Sequence, residues 1–138
     1  MASQTVAFIG GLKDGLIQDP DRTYLMGHSM GGAGTLFLGS KHASEWAAIA
    51  AIAPADFLMN QNRAEILKPI KEPVFVVQGD ADEEVPVTNT RMWVETMKEL
   101  KLNYEYKEFP GATHASVIEQ GMPDIFAFFN AHTKSASR

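Results

Sequence analysis

The segment Gly27-His28-Ser29-Met30-Gly31 is the feature that most restricts how this chain can fold. It follows Thr23-Tyr24-Leu25-Met26, which suits a short buried strand, and it precedes Ala33 to His42, whose small and apolar residues suit a helix lying close to a sheet. A serine in a tight strand-to-helix turn sits in strained backbone, so its neighbours must be small enough to clear both elements. Gly27 and Gly31 meet that need, with Gly27 to Gly32 forming the turn. The turn pushes the Ser29 hydroxyl out at the C-terminal end of the strand. It also aims the Met30 N–H at the same point, at a helix N-terminus where developing negative charge is favoured. A glycine-rich turn with an incidental serine would share this pentapeptide, so the rest of the chain has to decide.

The rest alternates helix-like and strand-like segments. Gln4 to Gln18 carries Val6, Ile9, Leu12 and Leu16 on one helical face and stops at Asp19-Pro20-Asp21, because the residue before a proline avoids helix. Ala47 to Ala53 is a continuous apolar run ending at Pro54 and predicts a second strand. Arg63 to Leu67 predicts a short helix. Val74 to Val77, four β-formers between Pro73 and Gly79, is the clearest strand. Thr88 to Leu100 predicts an amphipathic helix with Met92, Trp93, Met97 and Leu100 inward and Thr88 or Asn89 as its cap. Asn103 to Glu108 alternates up to Pro110-Gly111 and predicts a fourth strand. Pro123 to Ala131 predicts a last helix, with proline in its first turn and Ile125, Phe126 and Phe129 packing. Residues 1–132 then form one domain, and 133–138 a polar tail. Right-handed crossovers make this an α/β fold of about four parallel strands with helices on both faces.

Composition narrows the function classes. A chain of 138 residues has room for one core, and 45% hydrophobic with 21% charged residues is ordinary for a folded domain. The net charge of −5 argues against a surface for nucleic acid or an anionic membrane, both of which need clustered Lys and Arg. Without cysteine there are no disulfides, thiolate metal sites or cysteine nucleophiles. No metal-ligand spacing, phosphate-binding loop or dinucleotide fingerprint is present, so no metal and no other cofactor is expected. No apolar run approaches the roughly 20 residues of a membrane span. The N-terminus shows no signal-peptide pattern, so a cytoplasmic location is expected.

A serine hydroxyl needs a base to take its proton, and the base needs an acid to orient it. Two later loops supply such groups. Gly79-Asp80-Ala81-Asp82-Glu83-Glu84-Val85-Pro86 follows the clearest strand, and Pro110-Gly111-Ala112-Thr113-His114 follows the last one. Both leave C-terminal strand ends, where the sites of open parallel sheets lie. Among the other histidines, His28 is expected to pack beside the serine, while His42 and His132 read as solvent-facing helix residues. Glu83 and Glu84 read as solvated loop charges, and Trp46 and Trp93 as core.

With GHSMGG at 27–32, GDADEEVP at 79–86 and PGATH at 110–114, the chain resembles the α/β-hydrolase family of serine esterases and lipases. The resemblance covers the part of the usual domain from the nucleophile strand onward. It implies Ser29 as nucleophile, His114 as base and Asp82 as acid, since the acid there usually follows the strand-ending glycine by three residues. Asp80 is the alternative acid, and Asp56 a weaker one. Met30 N–H would be one oxyanion-hole donor, within an elbow of Gly27, His28 and Gly31. The implied activity is hydrolysis of carboxylic esters, with a prolyl-oligopeptidase-like peptidase or a thioesterase as further readings.

The resemblance also implies gaps. Strands that usually precede the nucleophile strand are not seen, nor is the loop that usually gives the second oxyanion donor. The strand at 23–26 would be an uncovered edge that invites another chain. A homodimer covering it is therefore expected. A truncated hydrolase, or a non-catalytic scaffold used for binding or dimerisation, is the rival reading. Pro54 to Glu72 holds one short helix and no large cap, which suits a small ester or the exposed end of a larger one.

Overall fold

Two strands are apolar or small at nearly every position, and they form the centre of the sheet. In the computed structural model, which describes residues 19–56 and 62–134, these are β2 (Ala48–Ile52) and β3 (Val74–Gly79). Every residue of both is buried. They are flanked by β1 (Tyr24–His28) and β4 (Tyr104–Phe109), all parallel, in the order β1-β2-β3-β4. The helix predicted at Gln4–Gln18 and positions 135–138 of the predicted tail lie outside the described residues.

The helices are α1 (Met30–Lys41), α2 (Arg63–Leu67), α3 (Val87–Glu99) and α4 (Ser116–Asn130). Side chains alternate across a strand, so β2 and β3 feed two cores. Ile49, Ala51, Val74 and Val76 pack with Leu36 of α1, Leu67 of α2, and Trp93 and Met97 of α3. Ala48, Ala50, Ile52, Phe75 and Val77 pack with Val117, Ile125, Phe128 and Phe129 of α4. Helices therefore cover both faces, and the strand and helix order matches the expectation from sequence. Each buried side chain of this size contributes about 1.5–3 kcal/mol.

Several details differ. β1 extends through Gly27 and His28, and α1 starts at Met30, so the expected six-residue turn shrinks to Ser29 alone. The N-cap position of α3 is Pro86, which makes no side-chain cap bond, in place of Thr88 or Asn89. Met92 is 52% exposed and Phe126 53% exposed, so neither packs inward as expected. The last helix begins seven residues earlier than predicted, with Pro123 in its interior. A reciprocal pair starts it: Thr113 N donates to Ser116 Oγ at 2.8 Å, and Ser116 N donates to Thr113 Oγ1 at 3.1 Å. His132 is half-buried rather than solvent-facing, and its carbonyl accepts the Tyr24 hydroxyl at 2.6 Å.

Candidate active site

Ser29 joins β1 to α1 in a conformation that L-residues avoid, with φ 61° and ψ −115°. Such strain costs about 1–3 kcal/mol and persists only where the surroundings enforce it. Here the backbone on both sides does so. Ser29 N donates to Ile52 O at 2.9 Å, continuing the β1–β2 ladder. The Ser29 carbonyl accepts from Gly32 N, Ala33 N and Ala55 N at 3.0–3.1 Å. Close approach makes glycine necessary at two places. A Cβ on Gly27 would lie 2.1 Å from Gly31 O, and one on Gly32 would lie 2.9 Å from Ile52 O. Gly31 has open space where a Cβ would go, so the expected need for a small residue moves from Gly31 to Gly32. Met30 is the first residue of α1, where N–H groups have no partner within the helix.

Just past the C-terminal end of β3, Asp82 is held from several sides. Its Oδ1 accepts from Glu84 N and Val85 N, both at 2.8 Å. Its Oδ2 accepts the His114 Nδ1–H at 2.7 Å and a longer bond from Gln78 Nε2 at 3.3 Å. Gln78 is fully buried and is itself fixed by Val85 O at 2.9 Å and the Thr90 hydroxyl at 3.1 Å. Burial of Asp82 pushes its carboxyl pKa up. The bonds from Val85 N–H, His114 and Glu84 N–H outweigh it and hold the group below the usual carboxylate range. Asp82 is thus an ionised acceptor locked against a neutral or charged imidazole.

The two loops are fastened together. Asp80 Oδ1 accepts from Gly111 N at 2.6 Å, and Ala81 N donates to Ala112 O at 3.0 Å. A Cβ on Gly79 would lie 2.2 Å from Ala112 O, so glycine is what permits this approach. His28 supports the base loop from β1: its Nε2–H donates to the His114 carbonyl at 2.7 Å, and the two rings lie 4.4 Å apart. Strands β1, β3 and β4 therefore deliver Ser29, Asp82 and His114 to one end of the sheet, with Asp82 and His114 in direct contact. No hydrogen bond joins Ser29 to His114 among the described residues. Asp80 does not reach His114, and Asp56 is paired with Arg63.

The sequence named Ser29, Asp82 and His114 as candidates but not the groups that surround them. Gln78, between the strand expected at 74–77 and Gly79, carried no expectation, although a polar side chain at a buried position signals a network. Glu84 is exposed, as a solvated loop charge should be, and its Oε2 also lies 3.4 Å from His114 Nε2. Among the described residues, no group of three or more His, Asp or Glu could hold a metal ion. No helix among them is long and apolar enough to cross a membrane.

Known proteins share this arrangement of elements. An acyl-protein thioesterase 1 from Gibberella zeae is 29% identical over 113 residues, 79% of this chain and 47% of that protein. Another, from Neurospora crassa, is 33% identical over 107 residues, 72% of this chain and 42% of that protein. The chain thus spans somewhat less than half the length of these relatives. A thermostable esterase of known structure superimposes with a TM-score of 0.76 at 25% identity, over 95% of this chain and 36% of that one. Esterase PE8 does so with a TM-score of 0.74 at 26% identity, over 91% of this chain and 57% of that one. The dienelactone hydrolase family matches residues 3–137, nearly the whole sequence, and this chain, with its α/β-hydrolase fold, belongs to that family.

Proposed function

We propose that the chain is a serine hydrolase of carboxylic esters, short or exposed at the acyl end, working through Ser29, His114 and Asp82. The observation that carries this is the 2.7 Å bond from His114 Nδ1–H to a carboxylate that His114 and the Val85 and Glu84 N–H groups hold below the usual carboxylate range. Such a pair leaves Nε2 free to act as base. In the first step Nε2 takes the Ser29 proton while Oγ bonds to the acyl carbon. Negative charge collects on the carbonyl oxygen, and Met30 N–H is the donor assigned to it. The carbon–leaving-group bond then breaks, and His114 returns the proton to the departing atom. Water repeats the sequence on the acyl-enzyme and regenerates Ser29. Asp82 remains ionised throughout and stabilises the imidazolium.

The likeness to two acyl-protein thioesterases favours thioesters as a second substrate class. The same steps apply, with a thiolate leaving. The test is turnover of p-nitrophenyl acetate and of an acetyl thioester, together with labelling by a fluorophosphonate. We expect label on Ser29, and no hydrolysis of either substrate above background in Ser29→Ala. Unchanged turnover in that variant would overturn the assignment.

The β1 edge motivates a proposal for assembly. β1 pairs only with β2 among the described residues, so its outer backbone groups need a partner. A two-fold dimer that joins β1 to β1 supplies one. Sedimentation at micromolar concentration should show a dimer, and a folded monomer would contradict it.

A further inference from the structure

The acid loop brings a second carboxylate to the base. Glu84 Oε2 lies 3.4 Å from His114 Nε2, the ring atom that exchanges protons with the serine and the leaving group. Asp82 occupies the other ring nitrogen, so the two carboxylates flank opposite edges of one imidazole. Their environments differ: the Asp82 side chain is fully buried, whereas that of Glu84 is 74% exposed. Asp82 is held by four donors and cannot move to meet a substrate. Among the described residues the Glu84 carboxylate forms no hydrogen bond apart from its approach to Nε2, so it can turn toward whatever enters.

What enters is fixed by the chemistry. The leaving atom must sit at Nε2 to receive its proton, so the group attached to it passes Glu84. Beyond Glu84 lies a cavity of about 500 Å³, continuous along Val85, Pro86, Asn89 and Met92. Its lining combines apolar surface with the exposed Met92 thioether, and among the described residues it contains no cationic side chain. Asp56 also borders it, but that carboxylate is neutralised by Arg63. Among the described residues, Glu84 is therefore the one uncompensated charge between the base and this cavity.

The geometry points to Glu84 and this cavity as a leaving-group subsite for esters or thioesters whose alcohol or thiol carries an ammonium group. This deepens the serine-hydrolase reading and rests on it. A cationic leaving group about 5 Å from the carboxylate in high dielectric gains a few-fold to tenfold in kcat/KM, and an anionic one loses as much. The methylene and methyl groups of such an ammonium would lie against Val85, Pro86 and Met92. Salt weakens the preference, because the pair is exposed.

The experiment compares acetylthiocholine with its uncharged isostere, in which a tert-butyl group replaces the trimethylammonium. The acyl group and the bond broken are the same in both. Wild type should favour the cation by roughly three- to tenfold in kcat/KM, with the ratio falling in about 0.5 M salt. Glu84→Gln should bring the ratio near one, while Glu83→Gln, one residue away on the exposed loop, should keep it. Ser29-dependent turnover with no charge preference, or a preference that survives Glu84→Gln, overturns the subsite alone. Turnover that persists in Ser29→Ala overturns the serine reading, and the subsite with it.

Discussion

At the scale of single residues, the strain at Ser29 is sustained by two atoms' worth of missing side chain. Gly27 has Gly31 O and Gly31 C at 2.1 and 2.4 Å from where its Cβ would lie. Both are backbone atoms inside a hydrogen-bonded turn, so neither can step aside without moving β1 or α1. Gly31 carries no such restriction, although the pentapeptide makes the two glycines look equivalent. Gly27→Ala should destabilise the fold by about 1–3 kcal/mol, the range for forced overpacking, and should slow fluorophosphonate labelling of Ser29. Gly31→Ala should stay within about 1 kcal/mol of the parent, on the stabilising side, since alanine is the better helix residue. Urea unfolding of the two variants, read side by side, checks this. Equal losses would mean that the turn is tighter around Gly31 than its open surroundings indicate. Asp82 gives a second residue-scale statement. Its folded pKa is depressed, so its ionisation contributes stability above its ordinary value of 3.8 that is lost as pH falls through the folded value. Asp82→Asn should remove that acid-side dependence and lower kcat by roughly 10³–10⁴, as misorienting a triad base does elsewhere.

Between elements, the question is how two loops hold a base and an acid in register. β3 and β4 run parallel with Gly79 opposite Phe109, so the loops leave the sheet side by side. Asp80 then bridges them through Gly111 N, where Gly111 takes a φ of 74°. Asp80→Ala should reduce kcat about five- to tenfold with little change in KM, because it frees the base loop without touching substrate; the loss corresponds to about 1 kcal/mol. Asp80→Asn keeps an acceptor oxygen and should restore most of the rate. The same Asp-to-Asn change at Asp82 should not, and that contrast separates the bridging carboxylate from the orienting one in steady-state kinetics. The sequence made much of this level readable. The apolar runs at 47–53 and 74–77 suggested strands buried on both faces, although the alanines of the first also suit a helix, and the loops after the third and fourth strands carried Asp80, Asp82 and His114 as candidates. Other parts were hidden for physical reasons. Gly27 and His28 extend β1 because pairing with Ala51 and Ile52 overrides glycine's turn preference. Pro123 is expected in the first turn of the last helix, yet α4 runs through it and through Gly121. Gly121 lets the helix approach Val77, with a built Cβ only 3.2 Å from Val77 Cγ2, and packing offsets the bond that Pro123 cannot make. Amphipathic spacing gives a stripe but not its width, so Met92 and Phe126 were assigned inward from its margins. The contact of Glu84 with His114 joins loops thirty positions apart, and no local pattern encodes it.

For the whole molecule, the distribution of charge between the two ends of the sheet matters. The C-terminal strand ends carry carboxylates, Asp80 and Asp82, that are hydrogen-bonded. Toward the opposite end, just before β3, Glu72 is only 5% exposed, and among the described residues neither carboxylate oxygen has a hydrogen-bond partner. Gly39 of α1 makes the space, since a Cβ there would fall 2.7 Å from Glu72 Oε1. Burial raises the Glu72 pKa from 4.5 to about 7, and the nearby N–H groups of Glu72 and Lys71 and the Lys134 ammonium offset only part of that. The Lys134 ammonium is engaged with Ser44 O at 2.6 Å, so it tempers the charge from a distance. The sign for stability follows from linkage. Between pH 4.5 and 7 the folded chain holds a proton on Glu72 that the unfolded chain has released, so unfolding becomes easier as pH rises. The protonated group contributes its full stabilisation below 4.5 and has lost it above about 7. A rise of that size corresponds to about 3 kcal/mol, a large fraction of the stability of a domain this small. Urea midpoints should therefore fall between pH 5 and pH 8 in the wild type, opposite to the acid-side trend set by Asp82. Glu72→Gln is a neutral isostere of the protonated form, so it should abolish that fall and leave the variant the more stable protein at pH 8. A wild-type midpoint that is flat across this window, or a fall that persists in Glu72→Gln, would show that the buried carboxylate is compensated by a partner that its surroundings do not supply.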